Sequence, residues 1–277
     1  MTAISGTTRL AGVLGWPIEH TASPALHNAA YRAVSLDAVY LPLGVPPEGL
    51  ADALRGVTAL GFLGVNVTVP HKEAVLDQCH ELAPAAAKAR AVNTIVIRQG
   101  RLTGHNTDVA GLADALTERH PALLAAGGRA LILGAGGAAR ATVLALTGLG
   151  FECVVVARDP ARAEPLLPLG AAEVHPWTAA ALLALVPGVG LLVDATSVGL
   201  HASAEANLPA KVPLASLPRS AVVCSLVYHR EPALLAEART LGLATTDGRG
   251  MLIHQAARAF TLMTGVPAPL EAMRAAL

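Results

Sequence analysis

The sequence predicts an α/β protein in two lobes, and three observations carry that prediction. Along 277 residues, short apolar runs alternate with longer segments of helical spacing, the pattern of βαβ units around a largely parallel sheet. A glycine-rich turn, Gly134-Ala135-Gly136-Gly137-Ala138-Ala139, joins one such run to one such helix near the middle of the chain. Hydrophobic residues make up 53% of the chain and charged residues 14%. An ordinary domain carries about 25% charged residues, so this chain has the apolar material to bury sheets on both faces.

The elements follow in order. Residues 10–15 (LAGVLG) read as a strand closed by Trp16-Pro17. Ser23-Pro24 sets a cap before a proline at the first helical position, and that helix is expected to reach Val34. Residues 39–43 form a strand and 48–60 a helix. Residues 64–69 (GVNVTV), β-branched at alternate positions, form another strand. A further helix is expected after Pro70, from about His71, and NTIVI from Asn93 is strand-like. In the second lobe 107–116 suits a helix and 129–133 (RALIL) a short buried strand. The glycine turn leads into a helix through Leu149, and 151–157 (FECVVVA) is a second buried strand. Residues 191–195 and 221–227 are further strands. The tail from Gly250 is helical, with Gly265 as its stop, and is expected to pack back onto the first lobe. The domains so read are 1–105 with 250–277, and 106–249.

Composition excludes several functions. Lys+Arg equals Asp+Glu, 20 against 20, so there is no broad basic field for nucleic acid. Aromatics at 3% leave little for base stacking. The longest uncharged stretch, 174–193, is broken by Pro176, Pro187, Gly188 and Gly190, which argues against a membrane span. The opening MTAISGTTRL has neither a basic region nor a long apolar run, so no secretory signal is expected. Cys79, Cys153 and Cys224 are scattered, odd in number and set among apolar residues, which suits reduced thiols in the cytoplasm. His71, His105 and His254 lack ligand spacing, so no metal is expected.

The glycine turn carries the first chemistry. A tight turn at Gly134, a side-chain-free approach at Gly136 and Gly137, and a helix N-terminus beyond them suit a pyrophosphate. This is a variant of the dinucleotide fingerprint, set between the strand and helix that it requires. At the end of the second strand an acidic residue holds a ribose hydroxyl, whereas arginine favours a 2′-phosphate. Arg158 and Arg162 form such a cationic clamp, favouring NADP. Asp159 between them either leaves NAD open or caps the next turn ahead of Pro160.

The second chemistry lies in the first lobe. Asn66, Thr68 and Lys72 sit at and beyond a strand end, where α/β lobes line their ligand crevices. Asn93 opens a strand, and Asp108 follows His105-Asn106-Thr107 at the join of the lobes. Lys72 and Asp108 are candidates for a lysine–carboxylate acid–base pair. Spacing alone favours a solvated lysine and a helix-start carboxylate stabilised by the dipole.

The motifs GVLGWPIEHTASPALHN, GVNVTVPHKEAV, AVNTIV, GHNTDVAGL, LILGAGGAARA, DATSVGL and DGRGMLIHQ, in this order across nearly the whole chain, resemble the shikimate dehydrogenase family of shikimate and quinate dehydrogenases. The resemblance implies an N-terminal α/β substrate-binding domain and a Rossmann-type NAD(P)-binding domain. It implies reduction of 3-dehydroshikimate to shikimate with NADP, in aromatic amino acid biosynthesis. By resemblance Lys72 is the catalytic acid/base and Asp108 its partner. Thr21 and Ser23 match the hydroxyls that bind the substrate carboxylate, and Thr68, Asn93 and Gln255 match ring-hydroxyl ligands. Asn66 matches a pocket wall and Tyr228 a tyrosine near the carboxylate. Gly134, Ala135, Gly136, Gly137, Ala138, Arg158, Asp159 and Arg162 fall on dinucleotide-binding positions. Thr196, Ser197, Leu226, Gly248 and Met251 match the wall beside the nicotinamide. The expected partner is a small-molecule substrate, with the chain a monomer or homodimer.

The chain departs from the family pattern at several positions. Thr21 stands for a usual serine, Arg90 for glycine, Asp194 for a common asparagine and Arg249 for leucine. The run Cys224–Tyr228 lacks a usual aspartate, and His229–Pro232 is a shorter loop. These changes leave quinate or an amino analogue open as substrate. A non-catalytic nucleotide-binding protein on the same fold is the alternative from another class.

Overall fold

The computed structural model describes residues 4–196, 198 and 210–277. Among these the chain divides into two compact units. One comprises the residues up to Gly111 together with Ile253–Leu277, and the other Leu112–Leu252.

In the first unit a mixed sheet runs β2-β1-β3-β5-β6-β4. Its strands are β1 (Arg9–Gly15), β2 (Ala38–Gly44), β3 (Gly64–Val67), β4 (Glu81–Leu82), β5 (Thr94–Arg98) and β6 (Arg101–His105). Its helices are α1 (Ser23–Ala33), α2 (Leu50–Ala59) and α3 (Pro84–Ala89). β1 pairs parallel with β2 and β3, as expected of βαβ units. β5 pairs antiparallel with both β3 and β6, so this sheet is not uniformly parallel. The β5–β6 pairing has a local cause. Gln99 and Gly100 both take positive φ, 49° and 75°, in a two-residue hairpin turn between Arg98 and Arg101. Pro42 lies on β2, at the sheet edge, where a missing N–H costs no ladder bond.

Two local expectations are corrected. Ser23 is the first residue of α1 rather than a side-chain cap before it; its N–H donates to Thr21 Oγ1 at 3.3 Å. The helix expected from His71 does not form, and residues 69–75 turn irregularly into a 3₁₀ segment, Leu76–Gln78. A helix would give the Lys72 carbonyl to the Leu76 N–H. Instead it accepts from Val92 N at 2.8 Å, and Leu76 N turns to Glu73 O. A tertiary bond thus outcompetes propensity and ties Lys72 beside Asn93.

In the second unit the helices are α5 (Pro121–Ala126), α6 (Gly137–Gly148), α7 (Ala179–Leu185) and α8 (Ala233–Thr240). The strands are β7 (Gly128–Leu133), β8 (Phe151–Ala157), β9 (Ala171–Pro176), β10 (Val189–Asp194), β11 (Val222–Ser225) and β12 (Ala244–Thr246). They run in the order β9-β8-β7-β10-β11-β12, with parallel neighbours. That is the doubly wound 3-2-1-4-5-6 order, whose switch point lies between β7 and β10. Leu131, Leu133, Val154, Val156, Leu192 and Val223 are buried in one core on one face, and Ile132, Val155 and Val193 are buried on the other, as a sheet covered on both faces requires.

Two longer helices, α4 (Asp108–Arg119) and α9 (Arg249–Thr264), carry the chain between units. Gly265 ends α9 at φ 76°, and α10 (Leu270–Arg274) follows. Within the first unit, Arg98 ties the end of α9 to the sheet. Its Nη2 donates to the carbonyls of Leu262 and Met263, and its Nη1 to those of Leu63 and Ile97. No helix among the described residues is long and apolar enough to cross a membrane.

Arg90 follows α3 in the left-handed region, φ 47° and ψ 41°, with Ala91 N–H on Ala86 O and Arg90 N–H on Ala87 O. This is the glycine position of a Schellman stop. A β-carbon there costs about 1–2 kcal/mol, partly offset by the unfolded freedom that glycine adds. Arg90→Gly is therefore expected to stabilise the protein by about 0.5–1 kcal/mol, read as a higher Tm; a lower Tm would contradict this account.

Candidate active site

Three loops converge at the ends of β3 and β6 in the first unit. Lys72 is held there by the Val92–Lys72 backbone bond, and Asp108 stands at the first turn of α4. Asn106 Oδ1 accepts from the N–H groups of Asp108 and Val109, at 3.1 and 3.2 Å, and so caps that turn. The Asn106 amide also donates to Ala91 O.

Lys72 Nζ lies 2.6 Å from Asp108 Oδ2, so the lysine–carboxylate pair forms. The lysine side chain keeps 22% of its surface exposed and the aspartate 8%. The lysine is thus partly open to solvent while its partner is enclosed. Asp108 Oδ1 accepts from Asn93 Nδ2 at 2.8 Å, so both carboxylate oxygens are fixed. Asn93 Nδ2 also lies 2.9 Å from Thr107 Oγ1 and 3.4 Å from Gln255 Oε1 on α9. Lys72, Asp108, Asn93 and Gln255 are therefore one cluster.

Asn66 and Thr68 share a face of the chain by the strand period of two. Asn66 is buried and fully committed. Tyr40 O–H donates to its Oδ1, and its Nδ2 donates to Asn93 O and Thr94 Oγ1. Thr68 lies against Gly15, where an added Cβ would come 2.4 Å from Thr68 Cγ2, so only glycine fits. Thr21 and Ser23 stand at the start of α1, both hydroxyls within one turn. Tyr228 is in the second unit, its ring edge-on to His229.

His71 is enclosed, with Nε2 2.7 Å from Val45 O, and serves the loop rather than a ligand. The His105 pKa is lowered, chiefly by burial against a smaller opposing influence of Glu81. Among the described residues no three His, Cys, Asp or Glu side chains are grouped to hold a metal ion. No local signal in the sequence marks Tyr40, whereas Thr94 beside Asn93 and Thr107 in the polar run before α4 are visible there without an assigned role.

In the second unit Gly134 and Thr196 meet at the switch point between β7 and β10. Gly134 follows β7 with φ 119°, and a Cβ there would meet Ala195 O at 3.1 Å and Thr196 Cγ2 at 3.3 Å. Gly136 precedes α6 without a side-chain cap, and a Cβ on it would meet nothing within 4 Å. The first-turn N–H groups of α6, from Gly137, Ala138 and Ala139, thus lie behind a turn free of side chains beyond Ala135, which suits a pyrophosphate. Thr196 is turned by Asp194, whose Oδ1 accepts from its N–H and its hydroxyl at 3.0 and 2.7 Å. Asp194 Oδ2 accepts from Ser225 Oγ. Gly248 backs onto Leu226, whose carbonyl oxygen would be 2.2 Å from an added Cβ. Met251 is half-buried on α9, and Ser197 lies outside the described residues.

Asp159 Oδ1 accepts from Ala161 N at 3.1 Å and caps the 3₁₀ turn Pro160–Arg162. The capping role that the sequence allowed for it is therefore present. Arg158 and Arg162 are exposed beside it, and neither pairs with a carboxylate among the described residues. Arg249 pairs weakly with Asp247, at 3.6 Å and largely exposed.

A doubly wound dinucleotide unit, together with an α/β unit carrying a lysine–carboxylate pair, defines a pyridine-nucleotide-dependent dehydrogenase. The comparisons narrow the class. A family model described as the shikimate dehydrogenase substrate binding domain matches residues 13–95, and one described as the shikimate 5′-dehydrogenase C-terminal domain matches 248–277. The shikimate dehydrogenase (NADP(+)) of Gluconobacter oxydans is 45% identical over 265 residues, covering 95% of this chain and 92% of that one. The crystal structure of shikimate dehydrogenase from Aquifex aeolicus superposes with a TM-score of 0.90 at 32% identity, covering 99% of each chain. Shikimate 5-dehydrogenase of Thermus thermophilus, in complex with NADP(H) and shikimate, superposes with a TM-score of 0.85 at 37% identity, covering 97% of this chain and 100% of that one. The chain belongs to the shikimate dehydrogenase family.

Proposed function

We propose that this protein is an NADP-dependent shikimate dehydrogenase that interconverts 3-dehydroshikimate and shikimate. Residues 1–105 and 250–277 are its substrate domain and 106–249 its dinucleotide domain. The observation that carries the reading is the 2.6 Å contact of Lys72 Nζ with Asp108 Oδ2, with Asn93 beside it. When bound, the nicotinamide supplies a hydride to, or takes one from, the carbon bearing the reacting oxygen. On reduction Lys72 donates its ammonium proton to the carbonyl oxygen as negative charge develops there, and regains one from solvent. On oxidation the neutral amine takes the hydroxyl proton. Asp108 holds the lysine and is itself held by Asn93.

Thr21 and Ser23 receive the substrate carboxylate at the positive end of α1. Thr68, Asn93 and Gln255 receive its hydroxyls, Asn66 supports them, and Tyr228 acts near the carboxylate. Gly134–Ala138 carry the pyrophosphate, and Arg158 and Arg162 the 2′-phosphate. Thr196, Ser197, Leu226, Gly248 and Met251 line the nicotinamide. The three free thiols, of which burial pushes Cys79 up to about 11 and Cys224 up to about 12, suit a reducing cytoplasm. We assign the chain to that compartment as a monomer or homodimer.

Nicotinamide absorbance with shikimate and quinate, each paired with NADP+ and NAD+, tests the reading. The highest kcat/KM is expected for shikimate with NADP+. A folded protein that binds cofactor but turns over no pairing would overturn it. Arg158→Ala should raise the Kd for NADP+ about tenfold, from one lost charge-assisted phosphate bond at an exposed position. The Kd for NAD+ should stay within about twofold of its original value; equal effects on both cofactors would remove the clamp.

A further inference from the structure

The proposed pair rests on a second layer of buried groups that touch neither Lys72 nor, by their geometry, a ligand. Tyr40 lies on β2 and Asn66 on β3, with β1 between them. Neighbouring strands stand about 4.8 Å apart, so the bridge must cross two spacings. A tyrosine phenol is long enough to do so. Its hydroxyl donates to Asn66 Oδ1 at 2.6 Å. Burial, with Tyr31 adding to it, holds the Tyr40 phenol well above its ordinary pKa, so it remains a donor.

That single donor fixes the sense of everything beyond it. With Oδ1 taken by Tyr40, the Asn66 amide nitrogen faces Asn93 O at 3.1 Å and Thr94 Oγ1 at 2.9 Å. Both of its hydrogens are thereby used. Thr94, wholly buried, accepts from Asn66 and gives its own hydrogen to Asn93 Oδ1 at 3.1 Å. The same oxygen accepts from Thr107 N at 2.7 Å. Thr107 Oγ1 donates to it as well, at 3.3 Å. These donors pin the carboxamide plane, and the Asn93 amide is left pointing at Asp108 Oδ1 and Thr107 Oγ1.

The start of the chain is anchored as well. Asn28 on α1 clamps the Tyr40 backbone, donating to its carbonyl at 3.0 Å and accepting from its N–H at 2.9 Å. The Tyr40 ring stacks on His27 at 4.1 Å and 9°. Burial lowers His27 to about 3, so this stack stays uncharged at ordinary pH.

We propose that Tyr40, Asn66 and Thr94 form a directional hydrogen-bond chain that orients Asn93, and through it Asp108, for proton transfer at Lys72. Tyr40 and Thr94 are positioning residues, and Asn66 acts in this chain rather than as a substrate ligand. The inference rests on the proposed dehydrogenase reading for its catalytic consequence, and on geometry alone for the chain itself.

Thr94→Val keeps the shape and removes the hydroxyl. It is expected to lower kcat for shikimate oxidation about five- to tenfold, the worth of one hydrogen bond in an oriented site. The KM for shikimate and the Kd for NADP+ should stay within about twofold. Thr94→Ser, which restores the hydroxyl, should recover at least about half of kcat. Tyr40→Phe, one bond further away and still able to stack on His27, should lower kcat about threefold.

The Asn93 side-chain amide resonances provide a readout without turnover. They should exchange slowly in the wild type and in Thr94→Ser, and rapidly in Thr94→Val. Slow exchange in Thr94→Val, or equal kcat in Thr94→Val and Thr94→Ser, would overturn the chain. Absence of shikimate turnover in the wild type would overturn the proposed function and leave the exchange measurement to decide the chain.

Discussion

Lys72→Ala is expected to lower kcat for shikimate oxidation by about 10²–10⁴, the range that a positioned proton-transfer group contributes, while leaving the Kd for NADP+ within about twofold. The cofactor candidates belong to the second unit and Lys72 to the first. The variant also leaves Asp108 enclosed without its cation, and a carboxylate stripped of its partner is costly. Lys72 is about one-fifth exposed, so that cost is discounted to about 1–2 kcal/mol. Stability and catalysis can then be separated with Lys72→Arg. A guanidinium keeps the positive charge beside Asp108 but does not release its proton near neutral pH. It should recover most of the lost stability and almost none of kcat. Recovery of kcat by arginine would show that charge, rather than proton transfer, is what the site needs from Lys72.

How much of this is legible in the sequence depends on the range of the interaction. The glycine turn is local: Gly134, Gly136 and the start of α6 lie within four residues, and the structure places them as the pattern requires. The Asp159 cap is equally local, closed by an N–H two residues on. The helix expected after Pro70 fails because its fate depends on Val92, twenty residues away, taking the Lys72 carbonyl. The same bond brings Lys72 to Asp108, so the misread element and the paired residues have one cause. The β5–β6 hairpin is readable from Gln99-Gly100 between two strand-like runs, and is missed because an alternating pattern suggests parallel strands. Tyr40 is not readable at all. Its contact with Asn66 spans 26 residues and an intervening strand, and nothing around it in sequence is polar enough to mark it.

Gly111→Ala is expected to destabilise the protein and raise the KM for shikimate, against the usual benefit of alanine in a helix. Gly111 lies in the first turn of α4, one turn from Asp108. An ideal Cβ there would stand 2.7 Å from Gln255 Cβ, 2.7 Å from Gln255 N and 2.9 Å from Gln255 Cα. Two of these atoms are backbone, so no side-chain rotation relieves the contact and α9 must move. Alanine gains about 1 kcal/mol of helix propensity over glycine. Forcing a methyl group into packed backbone costs about 1–3 kcal/mol, and occasionally more. Because two of the three clashing atoms are backbone, the steric cost should win, for a net loss of up to about 2 kcal/mol. Because α9 carries Gln255, whose Oε1 lies 3.4 Å from Asn93 Nδ2, its displacement should also raise the KM for shikimate about tenfold, the loss of one polar contact to substrate. Gly56→Ala in α2 is the control, since a Cβ there would meet nothing within 4 Å. It should stabilise by about 0.5–1 kcal/mol and leave KM unchanged. If Gly111→Ala behaved like Gly56→Ala, the close approach of α4 and α9 would not be what sets Gln255 beside Asn93.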